Sequence, residues 1–534
     1  MGEAFDYIIV GAGSAGCVLA NRLSAGGGCS VLLLEAGGRD RNPWIHIPVG
    51  YFKTMHNPAT DWCHVTEPDP GINGRRMKWP RGKVLGGSSS INGLLYIRGH
   101  RADYDAWAAA GNPGWSYREV LPLFKRAEDQ QRGADEFHGR GGPLKVSDMR
   151  IQREICDAYI RAASEAGIAP NDDFNGAVQE GAGYFQLTAH RGLRWSTARG
   201  YLRPALKRGN LTVCTRALAH RVTITNGRAA AVEFSARGEG LRRAACRREI
   251  ILAAGAVNSP QLLQLSGIGD GAHLQSLNIA VARDLPGVGG NLQDHLQIRA
   301  VYKSSRPTLN NEVRNPLKKI RIGLQYLLLR SGPMTMGASQ VCVFARSEEN
   351  LTRPDIQFHF QPLSSDSPGE GLHKFAAFTS SVCQLRPRSR GRIKIKSADA
   401  AAHPAIFPNY LGDAEDQRIA VAGMRVSRRI MQARAIRDYA TEELLPGAQL
   451  QSDSELLQHA RETGTTIYHP VGTCMMGPAG DRHAVVDARL RVHGIAGLRV
   501  ADASIMPAIP SGNTNAPVIM IAEKAAEMVA EDNR

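Results

Sequence analysis

The stretch FDYIIVGAGSAG, residues 5–16, decides how the rest of the chain is read. Its apolar run, Tyr7 to Val10, has the character of a strand buried on both faces of a parallel sheet. Gly11, Gly13 and Gly16 follow at GxGxxG spacing, and AGCVLANRL (15–23) then reads as a helix. Each glycine has a task. Gly11 makes the tight turn, Gly13 lets the backbone approach a pyrophosphate, and Gly16 lets helix pack on strand. Ser14 and Ala15 open the helix, whose unpaired N–H groups face an anion. A second apolar run, SVLLLEAG (30–37), ends at Glu35, with Ala36 beside it. An acid at that distance from the glycines suits a ribose hydroxyl. A lone GxGxxG says little, but strand, helix, second strand and acid together predict a dinucleotide site. They do not separate NAD from FAD.

Composition narrows the class. The 534 residues suffice for two or more domains, and 43% apolar content fits an ordinary globular chain. No apolar run approaches the roughly 18 residues that span a bilayer. The N-terminus has no basic segment before an apolar one, so no secretory signal is expected and a cytoplasmic location is. Peripheral membrane contact is left open. The nine cysteines include no CxxC pair, which predicts free thiols, no disulfide framework and no metal site. The net charge of +15 raises anionic partners. In RPRSRGRIKIK (386–396) the cations alternate, which reads as the solvated face of a strand. No nucleic-acid signature accompanies the charge.

Three further stretches separate the cofactors. They are PRGKVLGGSSSINGLLYIRG (80–99), GAVNSPQLLQLSGIG (255–269), and HPVGTCMMG (469–477) with DASIMPAIPSGNTNAPVIMIAEKAAEMV (502–529). Together with the N-terminal unit they resemble the glucose–methanol–choline (GMC) oxidoreductases, end to end. That resemblance implies FAD. It also implies an α/β fold, with a Rossmann-like FAD-binding domain interleaved with an α+β substrate domain. GGSSSING is a loop of small residues and N–H donors able to wrap a pyrophosphate. The resemblance sets Arg81, Val84, Gly86, Gly87, Ser88, Asn92, Gly93 and Leu94 against the flavin. Val222, Ala254, Gly255, Tyr468, Asp502, Ala503 and Thr514 complete the cofactor set, with Ala256 near the adenine-side phosphates. Some relatives attach FAD through a histidine beside the loop asparagine. Here that place is Ile91, so non-covalent FAD is expected. The C-terminal segment reads as a turn and an amphipathic helix, with Asn515 as N-cap and Pro517 in the first turn. In the family the positive end of this helix points at the flavin pyrimidine.

Oxidising an alcohol removes a hydride from carbon and a proton from oxygen. The proton needs a base that titrates near working pH, and histidine is the default. The chain has 16 histidines, and the resemblance selects His469 as the base. It pairs that base with Asn513, which holds the alcohol oxygen. Cys474 and Cys383 read as packed thiols. Choline-type relatives carry a glutamate in the segment that here reads MTMGASQVCVFARS, and alignment by eye puts Gln340 there as a substrate residue. A neutral primary alcohol, aliphatic or aromatic, is therefore expected, oxidised to the aldehyde. Choline dehydrogenation, a lyase and a fatty-acid photodecarboxylase are the alternatives. The electron acceptor (a quinone, another carrier or oxygen) and the oligomer stay open.

The flavin motifs recur along the chain, which predicts discontinuous domains. Residues 1–155, 196–300 and 463–534 are assigned to FAD binding. Residues 156–195 and 301–462 are assigned to the substrate side, as an antiparallel sheet backed by helices. DIQFHFQP (355–362) reads as one of its strands, and GRIKIKSA continues the alternation.

Overall fold

In the computed structural model, which describes residues 3–236, 240–366 and 371–533, the first strand is Ala4–Val10. It pairs in parallel with Val31–Glu35 on one side and Leu241–Leu252 on the other. Leu211–Thr215 extends one edge, in parallel. Arg228–Ala236 and Ala217–Thr225 extend the other, antiparallel. Leu498–Val500 joins from the far end of the chain by pairing with Leu241–Leu252. Strand residues Ile8, Ile9, Leu33, Ile250 and Ile251 are fully buried, as continuous apolar runs in a covered parallel sheet must be.

Two helices lie against this sheet and each other. Ser14–Leu23 starts where the glycine motif predicts. A Cβ on Gly16 would fall 1.8 Å from the Gly11 carbonyl oxygen, so only glycine allows the contact. The C-terminal helix Asn515–Asp532 packs against Ser14–Leu23. Its N-cap position is Thr514, which makes no side-chain capping bond, rather than Asn515, whose side chain accepts from the Ser14 hydroxyl at 2.8 Å. It is also buried nearly all round, not amphipathic. Even Glu523 is fully buried, and it accepts from Arg22 and the Tyr201 hydroxyl.

A second sheet is wholly antiparallel. Its order is Ala440–Leu445, Leu296–Ser304, Ala377–Gln384, Ile356–Gln361, Val341–Ala345, Gly181–Tyr184. Thr465–Thr466 also pairs with the start of Leu296–Ser304. Helix Ala414–Met431 packs on its central strand. Helix Glu154–Glu165 lies beside Ala414–Met431 and stacks Tyr159 on Phe360. The expected boundaries at 300 and 463 shift here. The first falls inside a strand of the second sheet, and the second assigns Thr465–Thr466 to the wrong one. The cationic alternation also forms less strand than expected. Only Arg392–Lys394 is extended, in a separate two-stranded sheet with Ala405–Phe407. Arg386 and Arg390 instead reach the Pro354 carbonyl and the Asn291 side chain.

Candidate active site

The two sheets enclose a cavity of about 310 Å³. On the nucleotide side its floor is glycine. Gly11 has φ +100°, and an added Cβ would sit 2.6 Å from the Ala253 carbonyl oxygen. A Cβ on Gly87 would sit 2.6 Å from the Gly13 Cα, so the GGSSS turn and the first helix start meet backbone to backbone. Gly255, at φ +85°, begins the helix Gly255–Leu265, and a Cβ there would meet no atom within 4 Å. The chain thus spends glycines both on close backbone contact and on keeping the cavity open, as a bound pyrophosphate requires.

Glu35 stands at this end of the cavity, accepting from Ala12 N–H and Gly37 N–H, each at 2.8 Å. Burial pushes its carboxyl up to about 7. Asp502 takes four donors: Gly255 N–H at 2.8 Å, Ser259 Oγ at 2.5 Å, Ser504 N–H at 2.8 Å and Ser504 Oγ at 2.6 Å. It fixes the Gly255 turn relative to the C-terminal segment. Asn92 is held by Arg194, whose Nη1 donates to its Oδ1 at 2.7 Å and to the Ser89 carbonyl at 3.2 Å.

His469 sits at the seam of the two sheets and is 7% exposed. The backbone before it is strained, because Tyr468 lies at φ +69°. Three contacts hold it there. Arg81 Nη2 donates to the Tyr468 carbonyl at 2.6 Å, Tyr468 N–H to Thr466 Oγ1 at 2.7 Å, and His469 N–H to Asp294 Oδ1 at 2.8 Å. Thr466 Oγ1 in turn donates to Asp294 Oδ2 at 2.5 Å.

The ring of His469 belongs to a chain whose protons can be placed. The Leu385 carbonyl can only accept, so His295 Nε2, 2.9 Å away, carries a proton. Burial lowers His295 to about 4, so its ring is neutral and its Nδ1 is an acceptor. His469 Nδ1, 3.0 Å from it, must then donate. Burial, followed by the neighbouring His295, His359 and Arg81, holds His469 well below the usual imidazole range. Its Nε2 is therefore a bare lone pair, met by Asn513 Nδ2–H at 3.1 Å. Asn513 Oδ1 is buried without a partner, as is Nε2 of His359 on the same cavity wall.

Most of the expected residues meet in this cavity: Gly11, Gly13, Ser14, Ala15, Glu35, Ala36, Arg81, Gly87, Ser88, Asn92, Gly93, Leu94, Ala254, Gly255, Tyr468, His469, Asp502, Ala503, Asn513 and Thr514. Five do not. Gly16, Val84 and Gly86 pack behind the wall, and Val222 is buried in its strand with its N–H on Ser266 Oγ. Gln340 requires the clearest correction. It is fully buried away from the cavity, between the Cys156 thiol at 3.0 Å and the Ile151 carbonyl at 3.0 Å. The neighbouring Ser339 and the sheet residues Gln297, Arg299 and Gln361 face the cavity instead. Cys474 and Cys383 are buried off the cavity, their thiols pushed up by burial.

The GMC oxidoreductase family profile matches residues 5–297 and again 387–522. The chain belongs to the GMC oxidoreductases. This GMC oxidoreductase is 44% identical over 528 residues to a Pseudomonas putida protein named alcohol dehydrogenase [acceptor], covering 98% of this chain and 95% of that one. It is 42% identical over 537 residues to the mitochondrial choline dehydrogenase of Homo sapiens, covering 99% and 90%. Pyridoxine 4-oxidase from Mesorbium loti superposes with TM-score 0.90 at 30% identity, covering 99% of this chain and 100% of that one. An FAD-dependent oxidoreductase from Chaetomium thermophilum superposes with TM-score 0.91 at 26% identity, covering 99% and 100%. The protein is an FAD-dependent oxidoreductase acting on CH–OH donors. The glycine cradle, the open space over Gly255 and the unpartnered Asn513 Oδ1 fit that cofactor and a hydroxylated substrate.

Proposed function

We propose that the protein oxidises a neutral primary alcohol, aliphatic or aromatic, to the aldehyde. The observation that carries this reading is the bare Nε2 of His469 beside the Asn513 amide. FAD, when bound in the cavity, supplies the acceptor for the hydride that leaves the carbinol carbon. The hydroxyl proton goes to His469 Nε2. The ring keeps its Nδ1–H on His295, so it cannot present the wrong tautomer. The Asn513 Nδ2–H that meets Nε2 turns to the alcohol oxygen, where negative charge develops as the proton leaves.

The cavity's charges support a neutral substrate. The only carboxylates among the lining residues are Glu35 and Asp502, both engaged by backbone N–H groups of the nucleotide side. On the sheet side stands Arg299, 5% exposed, donating to the Ser365 carbonyl and Thr379 Oγ1. A trimethylammonium would be desolvated against a guanidinium there. Tyr51, Phe52, Met55 and Leu363 give the apolar surface for an alkyl or aryl chain. Choline is the second reading, favoured by Tyr51, Phe52 and Trp62, whose rings could face a quaternary ammonium.

Anaerobic titration of the flavin absorbance with aliphatic, benzylic and choline-type alcohols tests both readings. Neutral alcohols should bleach the flavin, choline should not, and His469→Ala should retain FAD yet slow bleaching by at least about a hundredfold. Near wild-type bleaching by H469A would remove the base assignment. Readmitting air then distinguishes oxygen from a quinone or other carrier as acceptor.

A further inference from the structure

Helix Pro316–Leu329 leaves most of its own surface to solvent. Only Tyr326 is buried, with its hydroxyl donating to the Gly192 carbonyl at 3.0 Å. Leu317, Ile320, Leu324, Leu327 and Leu328 are 76, 60, 52, 66 and 75% exposed. Spaced by three and four, they form one face opposite Tyr326. Exposed large apolar residues elsewhere among the described residues are scattered, which is ordinary. A whole helix face of them marks a contact surface.

The charges around that face say what it contacts. From Val313 to Arg330 the sequence holds Arg314, Lys318, Lys319, Arg321 and Arg330, and no acidic residue. Lys318, Lys319 and Arg321 pair with no carboxylate among the described residues, and each is exposed. A second copy of the chain would bring like charges together, and the whole molecule carries +15. An acidic lipid surface offers both the phosphates for the cations and an apolar layer beneath them for the leucines. Fourteen residues extend about 21 Å, too short to cross a hydrocarbon core of about 30 Å but suited to lie along it.

We propose that helix Pro316–Leu329 docks the protein peripherally on an anionic phospholipid bilayer. Its Leu/Ile face sinks into the headgroup–acyl boundary, and its lysines and arginines lie among the lipid phosphates. The helix runs into the turn Pro333–Thr335, which packs on Pro48–Gly50. Ala338, Ser339 and Tyr51, just beyond these two turns, line the cavity. Docking therefore brings the substrate side of the cavity close to the lipid.

Flotation of the full-length holoenzyme with vesicles tests this. Phosphatidylcholine vesicles are compared with vesicles of phosphatidylcholine and phosphatidylglycerol, at low and at high salt. The protein should float with the anionic vesicles, and added salt should weaken the association. Leu324→Glu with Leu328→Glu, and separately Lys318→Glu with Lys319→Glu, should each weaken it at least tenfold, with unchanged alcohol-dependent reduction of a soluble dye. A wild-type protein that stays unbound at low salt overturns the proposal, as do variants that float equally well. Light scattering that shows the leucine variants dissolving an oligomer, with no lipid binding by the parent, also overturns it.

Discussion

Under the proposed mechanism, His469 does its work through a neighbour that does not line the cavity. His295 sits behind the base and accepts its Nδ1–H. Replacing it with leucine removes that acceptor and frees the His469 ring to flip or change tautomer. We expect His295→Leu to keep its FAD, to lower kcat for alcohol oxidation by roughly a hundredfold and to leave KM nearly unchanged. The pH profile provides a second readout. Burial disfavours the imidazolium of His469, so the neutral base persists as pH falls. The wild-type rate of flavin reduction should stay level through the ordinary imidazole pKa of about 6.5, and a drop there would show that the ring is not shielded. The places of His469 and Asn513 on the cavity wall were legible because a long motif surrounds each. His295, His359 and Arg299 were not. For His359 the signal existed in DIQFHFQP, where Gln357, His359 and Gln361 alternate with Ile356, Phe358 and Phe360. A strand buried on both faces with one polar face implies an enclosed polar site. Gln340 was misplaced because register inside MTMGASQVCVFARS decides which side chain faces the cavity, and a slip of one residue reverses it.

At the scale of elements, the helix starts matter most. The Gly255 turn is the sharpest case, because its space is open while its backbone is left-handed. Gly255→Ala should cost about 1–2 kcal/mol of local strain and put a methyl group into the open space that we propose the cofactor phosphates fill. FAD affinity, measured by recovery of flavin fluorescence on dilution, should fall at least tenfold. If affinity is unchanged, the phosphates lie elsewhere. The strand, glycine turn and helix of residues 7–23 were each read correctly, because a buried parallel strand and its glycines impose a local pattern. The C-terminal helix was misjudged as amphipathic. Its polar residue Glu523 points into the protein, a choice made by Arg22, Arg126 and Tyr201 from distant parts of the sequence.

Across the whole molecule, that same glutamate ties the first helix to the last. Glu523 joins Arg22 and Arg126, which are 31% and 37% exposed and can rehydrate if it is lost. Glu523→Ala should therefore lower stability by about 2 kcal/mol rather than unfold the chain, read as a reduced Tm. The interleaved order of segments was visible from the recurring motifs. The seam between the sheets was not, since strand pairing between residues as distant as 296 and 466 leaves no local trace.

That seam has a further consequence. The glycine cradle lies at the ends of the parallel strands, and Asp502 ties the C-terminal segment to it at Gly255; the segment of His469 is held at the seam by Asp294, just before the antiparallel strand Leu296–Ser304. Gln297, Arg299, His359 and Gln361 face the cavity from the antiparallel sheet. Under the proposed mechanism, the residues that react and the wall that selects lie on different backbone segments and are separately mutable. A lineage can exchange a few strand side chains, and with them the molecule admitted, while the bond-breaking geometry is inherited intact.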